Sequence, residues 1–145
     1  MRKEIRFSGF GGQGVILMGH IFGKAAVLDG KDVTLTKSYG PEARGGACST
    51  DIIISDERVK YPQVRNPDIL ISMSQTALDT YESQLKEEGL LMIDTKLVES
   101  QRKNTLGLPA TEIAEDEIGI KMVANIVMLG YFTSKTDLVK RDSVE

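Results

Sequence analysis

Gly9, Gly11 and Gly14 stand in the spacing G-x-G-x-x-G, behind the alternating stretch Ile5-Arg6-Phe7-Ser8 and ahead of an apolar run from Val15 to Leu28. Alternation of apolar and polar residues predicts a strand. The apolar run predicts a helix that is apolar on most of its surface and therefore buried, with Gly30 as its stop. A strand, a glycine loop and a helix in that order restrict the chain to the α/β class. In such a loop the first glycine permits a tight turn, the second lets a ligand oxygen reach the backbone, and the third lets helix and strand pack closely. The bare N–H groups and dipole at the helix start favour an anionic group, usually phosphate. Close packing alone is the competing explanation of the same glycines. Gln13 adds a side-chain amide donor to the loop or faces water.

The remaining pattern extends this opening. Asp32 to Thr36 predicts a second strand, completing the strand–helix–strand pattern of a parallel unit. Gly19 and Gly23, one turn apart, suit a close approach of the first helix to a neighbour. Ser49 to Ser55, with the run Asp51-Ile52-Ile53-Ile54, predicts a third strand, and Val59-Lys60-Tyr61 a short hairpin partner. After the turn signal Asn66-Pro67-Asp68 comes a buried-type strand, Ile69 to Met73. Ser74 suits a helix cap. The helix behind it carries Leu78, Tyr81 and Leu85 on one face, Asp79, Glu82, Ser83 and Lys86 on the other, and ends at Gly89. Leu90 to Asp94 is a further strand. Pro109 to Ile118 is a short acidic helix whose Glu112, Glu115, Asp116 and Glu117 form a solvated face. Lys121 to Thr133 is a helix that is apolar on nearly every side. The expectation is one three-layer α/β/α domain over residues 1–145, with a mostly parallel or mixed sheet. Ser143 reads as a helix cap without its helix, so the natural chain is expected to run further.

Composition removes whole classes of function. Apolar residues make up 41% and charged residues 27%, the balance of a soluble globular domain. The net charge of −3 gives no basic field for nucleic acid. No run of about 20 apolar residues exists to span a membrane, and the N-terminus is not a signal peptide; a cytoplasmic location is the expectation. One cysteine, Cys48, and one histidine, His20, rule out an iron–sulfur cluster and a Cys/His zinc site on this chain. Cys48 reads as a small buried residue with no adjacent base, and His20 as a packed histidine on a buried helix. No Ser-His-Asp or Cys-His constellation and no Gly-Asp-Gly thiamine-type motif is present. A dinucleotide site would want an acid at the end of the second strand to hold the ribose, but that position reads Thr36-Lys37-Ser38, and Asp29 and Asp32 lie at the strand's other end. Lys37 suits a phosphorylated ribose or is a solvated lysine. Asn125, inside an apolar helix, must find hydrogen bonds if buried and reads as structural. The six methionines read as gap-fillers.

The second informative segment is Ser38-Tyr39-Gly40-Pro41-Glu42-Ala43-Arg44-Gly45-Gly46. It sets an aromatic, a carboxylate and a guanidinium among glycines that allow sharp turns. In a parallel sheet it leaves the same carboxyl edge as the glycine loop, so the two share a crevice. A surface loop with a local Glu42–Arg44 pair is the alternative. Ser74 and Gln75 also follow a strand at its carboxyl end, where ligands of α/β sheets bind.

Together with Ser72-Met73-Ser74-Gln75 and Asn125-Ile126-Val127-Met128-Leu129-Gly130, the two glycine segments resemble the gamma subunit of 2-oxoacid:ferredoxin oxidoreductases, most of all the 2-oxoglutarate branch, 2-oxoglutarate synthase. The resemblance runs from residue 5 to about residue 134. It implies a holoenzyme that converts a 2-oxoacid and coenzyme A to acyl-CoA and CO2 and passes electrons to ferredoxin or a similar acceptor. It further implies thiamine diphosphate and iron–sulfur clusters on alpha, beta and sometimes delta partner subunits, and no activity of this chain alone. On this reading Gly9, Gly11, Gly12, Gln13, Gly14, Ser74 and Gln75 are expected to help bind coenzyme A. Tyr39, Gly40, Pro41, Glu42, Arg44, Gly45 and Gly46 are expected at the join with the thiamine-binding subunit or near the substrate. Arg44 suits a bidentate carboxylate or phosphate. A self-contained nucleotide-binding enzyme, a purely bridging subunit, and a gamma subunit serving pyruvate or branched-chain acids are the other readings.

Overall fold

A computed structural model describes residues 2–10, 14–39, 47–58, 64–119, 124–136 and 138. Six strands form one mixed sheet in the order β2-β3-β1-β4-β5-β6. They are β1 (Arg2–Phe10), β2 (Asp32–Tyr39), β3 (Ala47–Ser55), β4 (Ile69–Ser72), β5 (Leu90–Asp94) and β6 (Thr105–Leu108). The helices are α1 (Val15–Leu28), α2 (Gln75–Tyr81), α3 (Ala110–Ile113) and α4 (Ala124–Thr136). Helices α1, α3 and α4 cover one face of the sheet, and α2 covers the other, giving the expected three layers.

One feature of the topology departs from the sequence expectation. β1 and β2 run in the same direction but do not pair; β3 lies between them, antiparallel to both. The strand–helix–strand opening is therefore not a hydrogen-bonded parallel unit. Local patterns predict strands, not their neighbours, and a strand that returns through the second glycine segment takes the adjacent place. β1, β4, β5 and β6 are parallel.

The two faces are held differently. On the α1 side, Phe7, Phe22 and Phe132 from β1, α1 and α4 meet edge to face, with centroids 5.0 to 5.9 Å apart. Such pairs add about 1 kcal/mol each beyond the area they bury. On the α2 side the buried Arg6 binds Asp51 bidentately at 2.7 and 3.1 Å, donates to the Val64 carbonyl at 3.1 Å and to Gln84, and lies 4.9 Å from the Tyr81 ring centroid. A buried guanidinium is tolerated because its donors are satisfied. Met18, Met73, Met92 and Met128 are all core residues, as gap-fillers should be.

Several expectations need correction. α1 is not buried on most of its surface: Leu17 is 52%, Val27 58% and Leu28 66% exposed. His20 lies on that open face and is exposed, not packed. A helix rich in apolar residues gives a weak periodic signal, so its wet face was hidden. α2 ends at Tyr81, with a 3-10 turn over Glu82–Gln84, and Leu85 is already extended. Gly89 instead sits in the turn before β5, where a Cβ would crowd Leu85 and the carbonyls of Lys86 and Asp68. The acidic helix is α3 followed by a π-helical turn, Ala114–Ile118, with all four acids exposed as expected. β6 is a strand that the sequence did not announce. Val59-Lys60-Tyr61 lies outside the described residues.

Candidate functional site

The carboxyl ends of β1, β2 and β4 come together at one edge. Tyr39 pairs with Cys48 and Cys48 with Gly9, so the ends of β1 and β2 flank the start of β3. Ser8 pairs with Ser72, and the Met73 N–H donates to the Ser8 carbonyl at 2.8 Å, which draws the end of β4 alongside. The chain moves from β1 to one side for β2 and to the other for β4. That reversal is the place where open α/β sheets receive ligands. Both glycine segments leave from it. Gly11, Gly12 and Gln13 of the first, and Gly40, Pro41, Glu42, Arg44, Gly45 and Gly46 of the second, lie outside the described residues; their anchors do not.

The anchors differ from the sequence expectation in two ways. Gly9 makes no turn: it is a buried strand residue opposite Cys48, and β1 continues through Phe10. Gly14 is the residue before α1, in the left-handed region with φ 76°. What approaches it closely is α4, not a strand. A Cβ there would collide with the amide nitrogen of Asn125 and lie 3.1 Å from its Cγ. The close approach expected of a glycine in α1 is found at Gly19, where a Cβ would sit 2.9 Å from the Thr50 Cβ. The Thr50 hydroxyl in turn donates to the Val15 carbonyl at 3.2 Å, pinning the first turn of α1 to β3. The first N–H groups of an α-helix have no partner within it, and the first turn of α1 contains no acid to occupy them.

Ser74 is buried, and its hydroxyl accepts from the Ala77 N–H at 3.1 Å, so it caps α2. Gln75 is fixed at both ends of its amide. Its nitrogen donates to Asp79 at 3.0 Å, and its oxygen accepts from the Glu99 N–H at 2.8 Å. It forms part of the wall of an open groove of about 780 Å3 that also meets Thr95, Ser100 and Arg102.

Three features were missed by sequence reasoning. Serines 38, 49, 8 and 72 pair in a row across four adjacent strands, one or two residues below the edge. Ser8 and Ser72 spend their hydroxyls on the carbonyls of Ile71 and Ser74, while the buried Ser49 hydroxyl has no hydrogen-bond partner among the described residues. Asp94, fully buried at the end of β5, accepts from the Thr111 N–H at 3.0 Å, the Thr111 hydroxyl at 2.5 Å and the Lys96 N–H at 3.0 Å, which fastens α3 to the sheet. Asn125 touches Gly14. Each signal was only a polar residue in an apolar setting.

Among the described residues, no group of three His, Cys, Asp or Glu side chains is placed to hold a metal ion, and no helix is long and apolar enough to cross a membrane. Burial pushes the Cys48 thiol above its ordinary range, which disfavours the thiolate needed by a nucleophile or ligand. With one cysteine in the whole sequence, the chain's own residues do not fit an iron–sulfur cluster.

Residues 4–145 match the family model described as pyruvate ferredoxin/flavodoxin oxidoreductase. The chain is 49% identical over 151 aligned residues to 2-oxoglutarate synthase subunit KorC of Methanocaldococcus jannaschii, with all of this chain and 81% of the relative covered. It is 36% identical to pyruvate synthase subunit PorC of Methanothermobacter marburgensis, covering 97% of this chain and 81% of the relative. The crystal structure of the keto/oxoacid ferredoxin oxidoreductase gamma subunit from Geobacter sulfurreducens superposes with a TM-score of 0.85 at 38% identity, over 99% of this chain and 81% of that one.

Proposed function

The chain belongs to the pyruvate ferredoxin/flavodoxin oxidoreductase family, and from that membership we propose that it is the gamma subunit of a multi-subunit 2-oxoacid:ferredoxin oxidoreductase with 2-oxoglutarate as its acid. The observation that carries the choice of acid is the 49% identity to a 2-oxoglutarate synthase subunit, against 36% to a pyruvate synthase subunit. The reaction joins a 2-oxoacid and coenzyme A to give acyl-CoA and CO2, with two electrons leaving to ferredoxin.

The chain contributes binding rather than chemistry. The segment Gly9 to Gly14 ends at a helix start that contains no acid, and it stands where the sheet reverses direction. It receives the phosphate-bearing part of coenzyme A, with Ser74 and Gln75 at the neighbouring strand end. Backbone amides suit this role because they carry partial positive charge and need no side chain to reach an anion. On this reading the segment that follows Tyr39 is assigned to the join with the thiamine-binding subunit, where Arg44 suits a carboxylate or phosphate. Thiamine diphosphate and iron–sulfur clusters, on the alpha, beta and any delta partners, supply the decarboxylation and electron-transfer chemistry when bound. One cysteine in 145 residues supports placing the clusters elsewhere.

Purification from the natural source tests the proposal. The expected result is co-elution with larger chains that carry iron–sulfur absorbance, coenzyme A-dependent oxidation of 2-oxoglutarate by the assembly, and no turnover by this chain alone. Turnover by the isolated chain, or an assembly that prefers pyruvate, would overturn the corresponding part.

A further inference from the structure

Gly14 and Asn125 are 111 positions apart in sequence and in contact in space. Asn125 is 5% exposed. Its Nδ2 donates to the Gly14 carbonyl at 3.3 Å, and its Oδ1 accepts from the Ile126 N–H at 2.9 Å. The same Gly14 carbonyl receives the Met18 N–H at 3.0 Å, a bond that opens α1. One oxygen thus joins the start of α1 to α4 through a side-chain amide. Residue 14 is constrained twice: its φ of 76° disfavours any side chain, and the Asn125 amide occupies the space a Cβ would need. Whatever holds that carbonyl also sets where the glycine segment ends and where the first N–H groups of α1 point.

We infer that Asn125 is a positioning residue for coenzyme A. By holding the Gly14 carbonyl it aims the start of α1 and the end of the glycine segment at the anionic part of the coenzyme. By being neutral it leaves that charge unopposed. The inference rests on the reading of the glycine segment as the coenzyme's cradle, and it adds the residue that fixes the cradle's geometry. A residue that merely filled space would behave differently. A purely structural residue would lose stability in both variants and shift both substrates alike, Asp more than Ala because it buries a carboxylate beside the Gly14 carbonyl. A positioning residue beside an anion shifts coenzyme affinity alone, Asp again more than Ala, because Asp cannot donate to that carbonyl and brings a negative charge.

The test uses the assembled enzyme carrying Asn125→Ala, Asn125→Asp or Gly12→Val. It reads KM for coenzyme A and for 2-oxoglutarate, kcat, and the thermal midpoint. Asn125→Ala is expected to raise the coenzyme A KM about fivefold, the worth of one neutral hydrogen bond. Asn125→Asp is expected to raise it about 25-fold, since repulsion of the anion is added. The KM for 2-oxoglutarate and kcat at saturating coenzyme A should remain near the parent values. An unchanged coenzyme A KM in both variants, or equal shifts for both substrates, would overturn the inference. If Gly12→Val raises the coenzyme A KM and the Asn125 variants do not, positioning fails and the cradle stands; if Gly12→Val leaves it unchanged, the cradle itself fails. Should the Ala and Asp variants not assemble, the milder Asn125→Ser decides: a rise in coenzyme A KM alone supports positioning, and equal shifts for both substrates, or none, oppose it.

Discussion

The two ends of α1 use the same backbone device for different purposes. At its C-terminus Gly30 takes φ 84°, the Lys31 N–H bonds to the Ala26 carbonyl and the Gly30 N–H to the Val27 carbonyl, both at 3.0 Å. That is a Schellman stop, and a Cβ on Gly30 would meet nothing within 4 Å. At the N-terminus Gly14 takes φ 76° with the Asn125 amide pressed against it. One left-handed glycine only ends a helix. The other is built into a junction between two helices and the strand edge. The difference separates a position that only closes a helix from one that joins two helices, although both are glycines beside an apolar run.

The largest expected effect that sharpens this contrast is Gly14→Ala. Left-handed strain and the collision with Asn125 together should cost about 3 kcal/mol, read as the chemical denaturation midpoint of the assembly. Adding Asn125→Ala should return the collision part, leaving the double variant more stable than the sum of the two single changes by about 1–2 kcal/mol. Strict additivity would mean the two residues do not meet. Gly30→Ala comes next, with strain alone at about 1 kcal/mol, and Gly30→Asn should cost less, because Asn tolerates the left-handed region. A Gly30→Ala penalty as large as that of Gly14→Ala would erase the distinction drawn between the two ends. The smallest effect belongs to the pair Lys31–Asp56 just beyond the stop. The Lys31 hydrogen bond, foremost, holds the Asp56 carboxyl below its ordinary range. A depressed carboxylate contributes stability that is present above its unfolded value of about 3.9 and is lost as pH falls through the folded value. Both groups are near the surface, so Lys31→Ala should lower stability near pH 7 only slightly and flatten the acid limb of the stability–pH curve by the same small amount. An acid limb as steep as the parent's would contradict that assignment.

Legibility in the sequence followed the range of each interaction. The bounds of α1 were readable because a glycine stands at each end of a continuous apolar run, and Ser74 was readable as a cap because capping reaches only three residues. β6 was not, since Thr105-Leu106-Gly107-Leu108 is only four residues with a glycine inside. The insertion of β3 between β1 and β2 was hidden because local pattern carries no strand order. Alternation around Arg6 gave a strand but not its burial; its partners Asp51, Val64, Tyr81 and Gln84 come from four distant segments. The glycine spacing led to the carboxyl end of β1, yet the neighbour that crowds Gly14 lies on α4, where only an isolated polar residue hinted at it.

The most direct test of the central claim is calorimetry of coenzyme A binding to the assembled enzyme, with Gly12 in the parent and Gly12→Val in the variant. The account predicts affinity weakened by about tenfold or more, because a branched side chain would cover the amides proposed to receive the anion. Equal affinity for parent and variant, in assemblies of the same composition, would contradict it.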